Sequence, residues 1–191
     1  MLSASLRATA LLLVLCCLVY PALVTGIAQV ALPETANGSL VRAEDGAVIG
    51  SSLIGQAFRS PGYLQGRPSA AGAGYDAAAS SGSNLGMTSQ KLADRRAATE
   101  AALLAQNPAA PGPVPELLLT ASGSGLDPEL PPAAALWQAP RIAAARGVDV
   151  ARIRAVIDEL TVGRDLGFLG EPRVNVLAVN LALDRRFPEA R

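Results

Sequence analysis

The sequence predicts an α+β protein in which one apolar helix, able to cross a membrane, precedes a single mixed α/β soluble domain. Three observations carry that reading. Residues 8–33 contain no charged side chain. Beyond them, stretches with helical spacing mix with short β-branched runs, without the alternating rhythm of a parallel sheet. The remaining length, about 158 residues with no internal repeat, suits one compact domain.

The organisation reads as an N-terminal tail (1–7), a transmembrane helix (8–33), a linker (34–46) and a soluble domain (47–191). At ~1.5 Å per helical residue, residues 8–33 reach ~39 Å, more than the ~30 Å hydrocarbon core of a bilayer. Pro21 and Gly26 are expected bend or packing points, and small residues let membrane helices approach closely. Tyr20 is too central for an interfacial anchor and is expected to face a partner, and Gln29 suggests a polar contact. A cleaved signal peptide, with residues 8–20 apolar and Gly26-Ile27-Ala28 as cleavage site, is the rival. The apolar run continues well past Tyr20, which favours the span. Arg7 before it, against Glu34, Glu44 and Asp45 beside Arg42 after it, favours a cytoplasmic N-terminus and an outer domain.

In the linker, Asn37-Gly38 marks a turn. Residues 47–58 predict a short strand or two with a bulge at the glycines. Residues 60–83 are rich in Gly, Pro, Ser and Ala, yet carry Tyr63, Arg67, Tyr75 and Asp76, so an ordered binding loop is expected. Thr88 or Ser89 caps a helix from Gln90 to Gln106, which Asn107-Pro108 ends. A proline-rich connector leads to residues 117–120, a short strand or helical turn, and then to the turn residues 121–128. Residues 131–146 read as a helix interrupted at Pro140 and stopped by Gly147. Asp149 caps the next, whose Val150, Ile153, Ile157 and Leu160 share one face. A loop over 163–172 precedes a strand at 174–179, and Asn180 caps a last helix over 181–186.

The chemical inventory excludes much. Net charge is zero, so nucleic acid has no electrostatic claim on the chain. There is no histidine, and the only cysteines, Cys16 and Cys17, lie in the apolar stretch. Zinc sites and histidine-based triads are therefore excluded, and no metal or firmly bound cofactor is expected. No phosphate-binding Gly-x4-Gly-Lys motif surrounds Lys91, the one lysine. Gly123-Ser124-Gly125 lacks the third glycine and the strand–helix setting of a dinucleotide fingerprint, so a tight turn is expected there. Asp158 and Glu159 are adjacent, point about 100° apart on a helix and cannot face one another as a catalytic pair. Glu171-Pro172-Arg173 reads as a loop ion pair. No catalytic residue emerges.

Many phrases nonetheless occur in a telling order. They include Asn37-Gly38-Ser39-Leu40, Gly66-Arg67-Pro68-Ser69-Ala70, Ser83-Asn84-Leu85-Gly86, Thr120 through Pro128, Leu169 through Leu177, and Asn180 through Asp184. With Tyr20-Pro21 and Val24-Thr25-Gly26 in the span, the chain resembles the KdpC family, a component of the bacterial potassium-transporting P-type ATPases. The resemblance implies a non-catalytic accessory subunit, in the inner membrane, of an ATP-driven potassium transport complex. Its implied partners are a potassium-conducting subunit, an ATP-hydrolysing subunit and a small single-span subunit. The family is described as a catalytic chaperone that raises its partner's ATP affinity, so ATP would be met through that partner. A glutamine beside the Ser-Gly-rich segment is the family's proposed nucleotide contact, here Gln138 with Ser122, Gly123, Ser124 and Gly125. A domain outside the membrane does not meet cytoplasmic ATP, so Gln138 is otherwise expected on a helix surface or interface. Candidate contacts with the other subunits are Tyr20, Gly26, Gln29, Tyr63, Arg67, Tyr75 and Asn84.

Overall fold

The computed structural model describes residues 2–43 and 45–188, in two compact units divided between Ser51 and Ser52. The first unit opens with α1, Leu2–Ala31. It is long and apolar enough to cross a membrane, and it begins before Arg7, whose guanidinium donates to the Ser3 carbonyl at 3.2 Å. Its middle, Leu15–Val19, widens to π geometry, and the Tyr20 N–H reaches back to the Leu15 carbonyl. Pro21 follows directly. A proline has no N–H to donate and its ring crowds the preceding turn, so a widened turn there has a cause.

After the short helix α2, Pro33–Ala36, Gly38 and Ser39 turn with positive φ (89° and 48°) into a hairpin. Strand β1 (Leu40–Arg42) pairs antiparallel with β2 (Val48–Ser51), with a register shift between Val41 and Arg42. The irregularity expected at Gly50 and Gly55 falls instead at Ile49, which the register skips, and the segment expected as a linker with a turn holds a strand. Glu44, used for orientation, lies outside the described residues.

In the second unit, residues 52–89 run irregularly except for a 3-10 turn at Ala77–Ala79. Helix α3 spans Gln90–Gln106, as expected, with Ser89 at its N-cap position but without a side-chain capping bond. Residues 116–118 form a 3-10 turn. Strand β3 (Glu129–Leu130) precedes α4 (Pro132–Trp137) and α5 (Ala139–Arg146), which are separate helices broken at Gln138, two residues before Pro140. Gly147 ends α5 with a left-handed φ of 64°. The Asp149 carboxylate accepts from the Ala151 N–H and caps α6, Val150–Glu159. Strands β4 (Thr161–Val162) and β5 (Arg173–Asn175) complete an antiparallel sheet of order β3-β5-β4.

The C-terminal expectation is corrected here. The strand stops at Asn175, and α7 runs Val176–Arg186, five residues earlier than the sequence suggested. Asn175 is the cap, accepting from the Ala178 N–H, while Asn180 lies buried inside the helix. An apolar run such as Val-Leu-Ala-Val serves strand or helix equally well. The helix wins because Val176, Val179 and Leu183 then share one face against the core. That core joins Leu64, Leu118, Leu130, Ile142, Ile153, Ile157 and Val174, all at most 2% exposed. Each such aliphatic side chain contributes about 1.5–3 kcal/mol by leaving water.

Candidate functional site

Several buried or half-buried polar side chains, Gln138 and Arg67 among the candidates, converge on the irregular segment 61–84. Its first part has no strand partner, so side chains complete its hydrogen bonds. Asn180 accepts from the Leu64 N–H at 2.7 Å and donates to the Leu64 carbonyl at 2.9 Å. Gln138 does the same one residue on, accepting from the Gln65 N–H at 3.0 Å and donating to its carbonyl at 2.9 Å. The guanidinium of Arg141 donates to the carbonyls of Pro61 (2.8 Å) and Tyr63 (3.0 Å) and to Gln138 Oε1 (2.8 Å). Arg146 donates to Gly62 O (2.7 Å) and pairs with Asp184 at 2.8 Å, which also accepts from the Tyr63 hydroxyl. The Arg146 guanidinium lies 5.0 Å from the Tyr63 ring centre, within cation–π range.

Gln138 is 1% exposed. The expectation of a helix-surface or interface residue is therefore corrected, because the break before Pro140 turns this side chain inward onto residue 65. Among the described residues no carboxylate pairs with Arg141, and burial draws its pKa down to about 10, which leaves it cationic at neutral pH.

The second part of the segment is held by the Ser-Gly turn. Ser69 Oγ donates to the Gly125 carbonyl (2.6 Å) and accepts from the Tyr75 N–H (2.7 Å). The Ser81 N–H and the Ser80 hydroxyl both donate to Ser124 O. Within the turn, the Gly125 N–H donates to Ser122 Oγ (2.9 Å) and the Leu126 N–H to Ser124 Oγ (3.1 Å). Two amides that a phosphate cradle would present are thus already engaged, the pattern of the expected tight turn. Gly125 has φ 67°, and an added Cβ would fall 2.6 Å from Ser81 O and 2.7 Å from Ala71 N.

Arg67 ties the two parts together, pairing with Asp127 at 3.0 Å and donating to the carbonyls of Thr120 and Ala121. The Tyr75 hydroxyl donates to Arg67 O at 2.5 Å. Burial, and next the Asp127 charge, raise the Tyr75 phenol above its ordinary value, with Arg67 opposing. An open cleft of about 410 Å³ lies over this region, lined by Arg59, Arg67, Arg95, Gln65, Tyr75 and Gln138 among others, with no carboxylate in its lining among the described residues.

Of the remaining candidates, Tyr20, Gly26 and Gln29 lie in the first unit and Asn84 ends the segment. Tyr20 (65% exposed) and Gly26 are on α1, the latter with nothing within 4 Å of an added Cβ. Gln29 exchanges amide hydrogen bonds with Asn37. Asn84 is exposed with φ 50°. Glu171 pairs with Arg164 instead of Arg173, which joins Glu129 and Asp165. Sequence reasoning passed over Arg141 and Arg146 and read Asn180 as a helix cap, because a buried arginine or asparagine has the same local pattern as an exposed one.

The family described as "KdpC: K+-transporting ATPase, c chain" matches residues 2–185. The chain is 58% identical to the potassium-transporting ATPase KdpC subunit of Myxococcus xanthus over 183 residues, covering 96% of this chain and 87% of that one. It is 56% identical to the KdpC subunit of Caulobacter vibrioides (strain NA1000 / CB15N) over 171 residues, 90% and 86% of the two chains. It is 54% identical to that of Nitratidesulfovibrio vulgaris over 181 residues, 94% and 91%. With the match running from α1 through the last helix, the chain belongs to the KdpC family of K+-transporting ATPase subunits.

Proposed function

We propose that the chain is a non-catalytic accessory subunit that anchors and supports an ATP-driven potassium transport complex. One observation carries the reading beyond family membership: the way its polar side chains are used. Gln138, Asn180, Arg141, Arg146, Arg67 and Ser122 direct their polar atoms at the chain's own backbone. That is the chemistry of a scaffold. In this reading α1 lies in the inner membrane with its N-terminus in the cytoplasm, and the second unit stands on the outer face. The ordered segment from Tyr63 to Asn84 helps it cap the potassium-conducting subunit. The assembly is completed by contacts with the ATP-hydrolysing subunit and the small single-span subunit, and through it the chain raises ATP affinity as a chaperone. The test is co-purification with the other subunits, together with potassium uptake. Gly26→Leu and Arg67→Ala are expected to lower both, and normal recovery and transport by both variants would sink the proposal.

A second reading is direct ATP contact by Gln138 and the Ser122–Gly125 turn; the arginine-lined cleft supports it at Gln138, which lines that cleft, and not at the turn, which does not. It requires Gln138 to leave Gln65 and Arg141. Photolabelling of the full complex with an ATP analogue decides it, with Gln138→Ala and Arg59→Ala as controls. Labelling of this chain that both substitutions abolish supports direct contact; none above those controls removes it.

A further inference from the structure

The joint between α1 and the β1–β2 hairpin carries the chain's one Asn-Gly pair, Asn37-Gly38; every other asparagine precedes leucine, proline or valine. The turn demands both residues. Gly38 sits at φ 89°, a left-handed conformation that glycine adopts without strain. At Asn37 the requirement is for a carboxamide. Leu32 leaves helical geometry (φ −140°, ψ 55°), and the single turn of α2 then brings Asn37 back to the last turn of α1. There its Nδ2 donates to the Pro33 carbonyl at 2.7 Å and to Gln29 Oε1 at 3.2 Å, while Gln29 Nε2 donates to Asn37 Oδ1 at 3.4 Å. A carboxylate only accepts, so aspartate makes neither of the first two bonds.

Asparagine followed by glycine is also a reactive pair, because glycine has no side chain to hinder attack through its nitrogen. The Gly38 backbone nitrogen gives up its proton and bonds to Asn37 Cγ. The bond from Cγ to Nδ2 breaks, ammonia leaves, and a five-membered succinimide closes. Water then adds to either imide carbonyl and reopens the ring to aspartate or isoaspartate. The fold ties down both reactants: the Gly38 N–H donates to Thr35 O at 3.1 Å, and Pro33 and Gln29 hold the carboxamide. We propose that Asn37, exposed at this joint, is a self-modification site, and that Gln29 is the latch that keeps it unreacted. Aspartate at 37 would set a negative charge against the Pro33 carbonyl and leave Gln29 Oε1 without its donor. Isoaspartate would also lengthen the main chain by one methylene just before Gly38, whose carbonyl accepts from Ser51 Oγ at 2.7 Å. Either product loosens the joint. All these residues lie in the first unit, and the latch is independent of both functional readings.

The test ages the full detergent-solubilised chain in mildly alkaline buffer and follows position 37 by peptide mass spectrometry, with isoaspartate counted by an isoaspartyl methyltransferase. Conversion at Asn37 is expected to run at least about threefold faster in Gln29→Ala than in the wild-type chain, because two hydrogen bonds to the carboxamide are lost. Gln29 is exposed, so the variant should keep wild-type helicity by circular dichroism, which separates a released latch from an unfolded helix. Asn84, exposed but followed by leucine, should stay unmodified in both chains. Equal rates in wild type and Gln29→Ala overturn the latch. No conversion at Asn37 in either chain, or conversion at Asn84 as fast as at Asn37, overturns the site itself.

Discussion

At Gln138 one amide answers four groups at once: the Gln65 N–H, the Gln65 carbonyl, Arg141 and, at 3.4 Å, the Ala134 carbonyl. Gln138→Ala leaves the half-buried Gln65 N–H and carbonyl without this partner, while Arg141 keeps the Pro61 and Tyr63 carbonyls, at a cost of about 1–3 kcal/mol for each group left unsatisfied. Urea titration of the detergent-solubilised chain should show a loss of about 2–4 kcal/mol. A loss under about 0.5 kcal/mol, the level of an ordinary surface change, would show that the amide does not hold the segment. Tyr75 sets a pH dependence. Its phenol is raised in the fold, so above about pH 10 the unfolded chain releases that proton first. The contribution of Tyr75 to stability is complete below that pH and fades as pH climbs through the raised folded value. Tyr75→Phe should flatten this alkaline decline, measured as the difference between the two unfolding curves at each pH, in which the contribution of Arg141 cancels.

At the level of elements, the Ser-Gly turn and segment 61–84 form one construction, and its glycines are not equivalent. Gly125 combines positive φ with backbone atoms at 2.6 and 2.7 Å from an added Cβ, whereas nothing lies within 4 Å at Gly123. Gly125→Ala should therefore cost at least about 2 kcal/mol and expose the segment to trypsin at Arg67, while Gly123→Ala stays within about 0.5 kcal/mol. Limited proteolysis followed by mass spectrometry separates the two. Equal cleavage in both variants would mean that the turn does not secure the segment. The same contrast explains why the turn looked like a weak nucleotide motif in sequence. Glycines needed for close backbone packing and glycines needed to approach a phosphate share one pattern, and only their neighbours distinguish them.

For the whole molecule, the prediction concerns sidedness. Met87 is 99% exposed, in the second unit. In a chain with Cys16 and Cys17 replaced by alanine, Met87→Cys should react with a membrane-impermeant maleimide added to intact spheroplasts, which display the outer face. Labelling that needs disrupted membranes would place the second unit in the cytoplasm and bring the direct ATP reading forward.

Local rules sufficed for much of this protein. A charge-free run makes most of α1, Asn107-Pro108 ends α3, Gly147 stops α5 and Asp149 caps α6, because each depends on residues contiguous in sequence. The resemblance phrases identified the family for a related reason: order along the chain is itself a sequence property. What tertiary structure alone decided is where the polar residues point. Gln138 meets Gln65 across 73 positions and Asn180 meets Leu64 across 116. At such separations no periodicity records the pairing, and only the packed core brings the partners together. The start of α7 was decided in the same way, since its apolar run fitted two periods and burial against the core selected one.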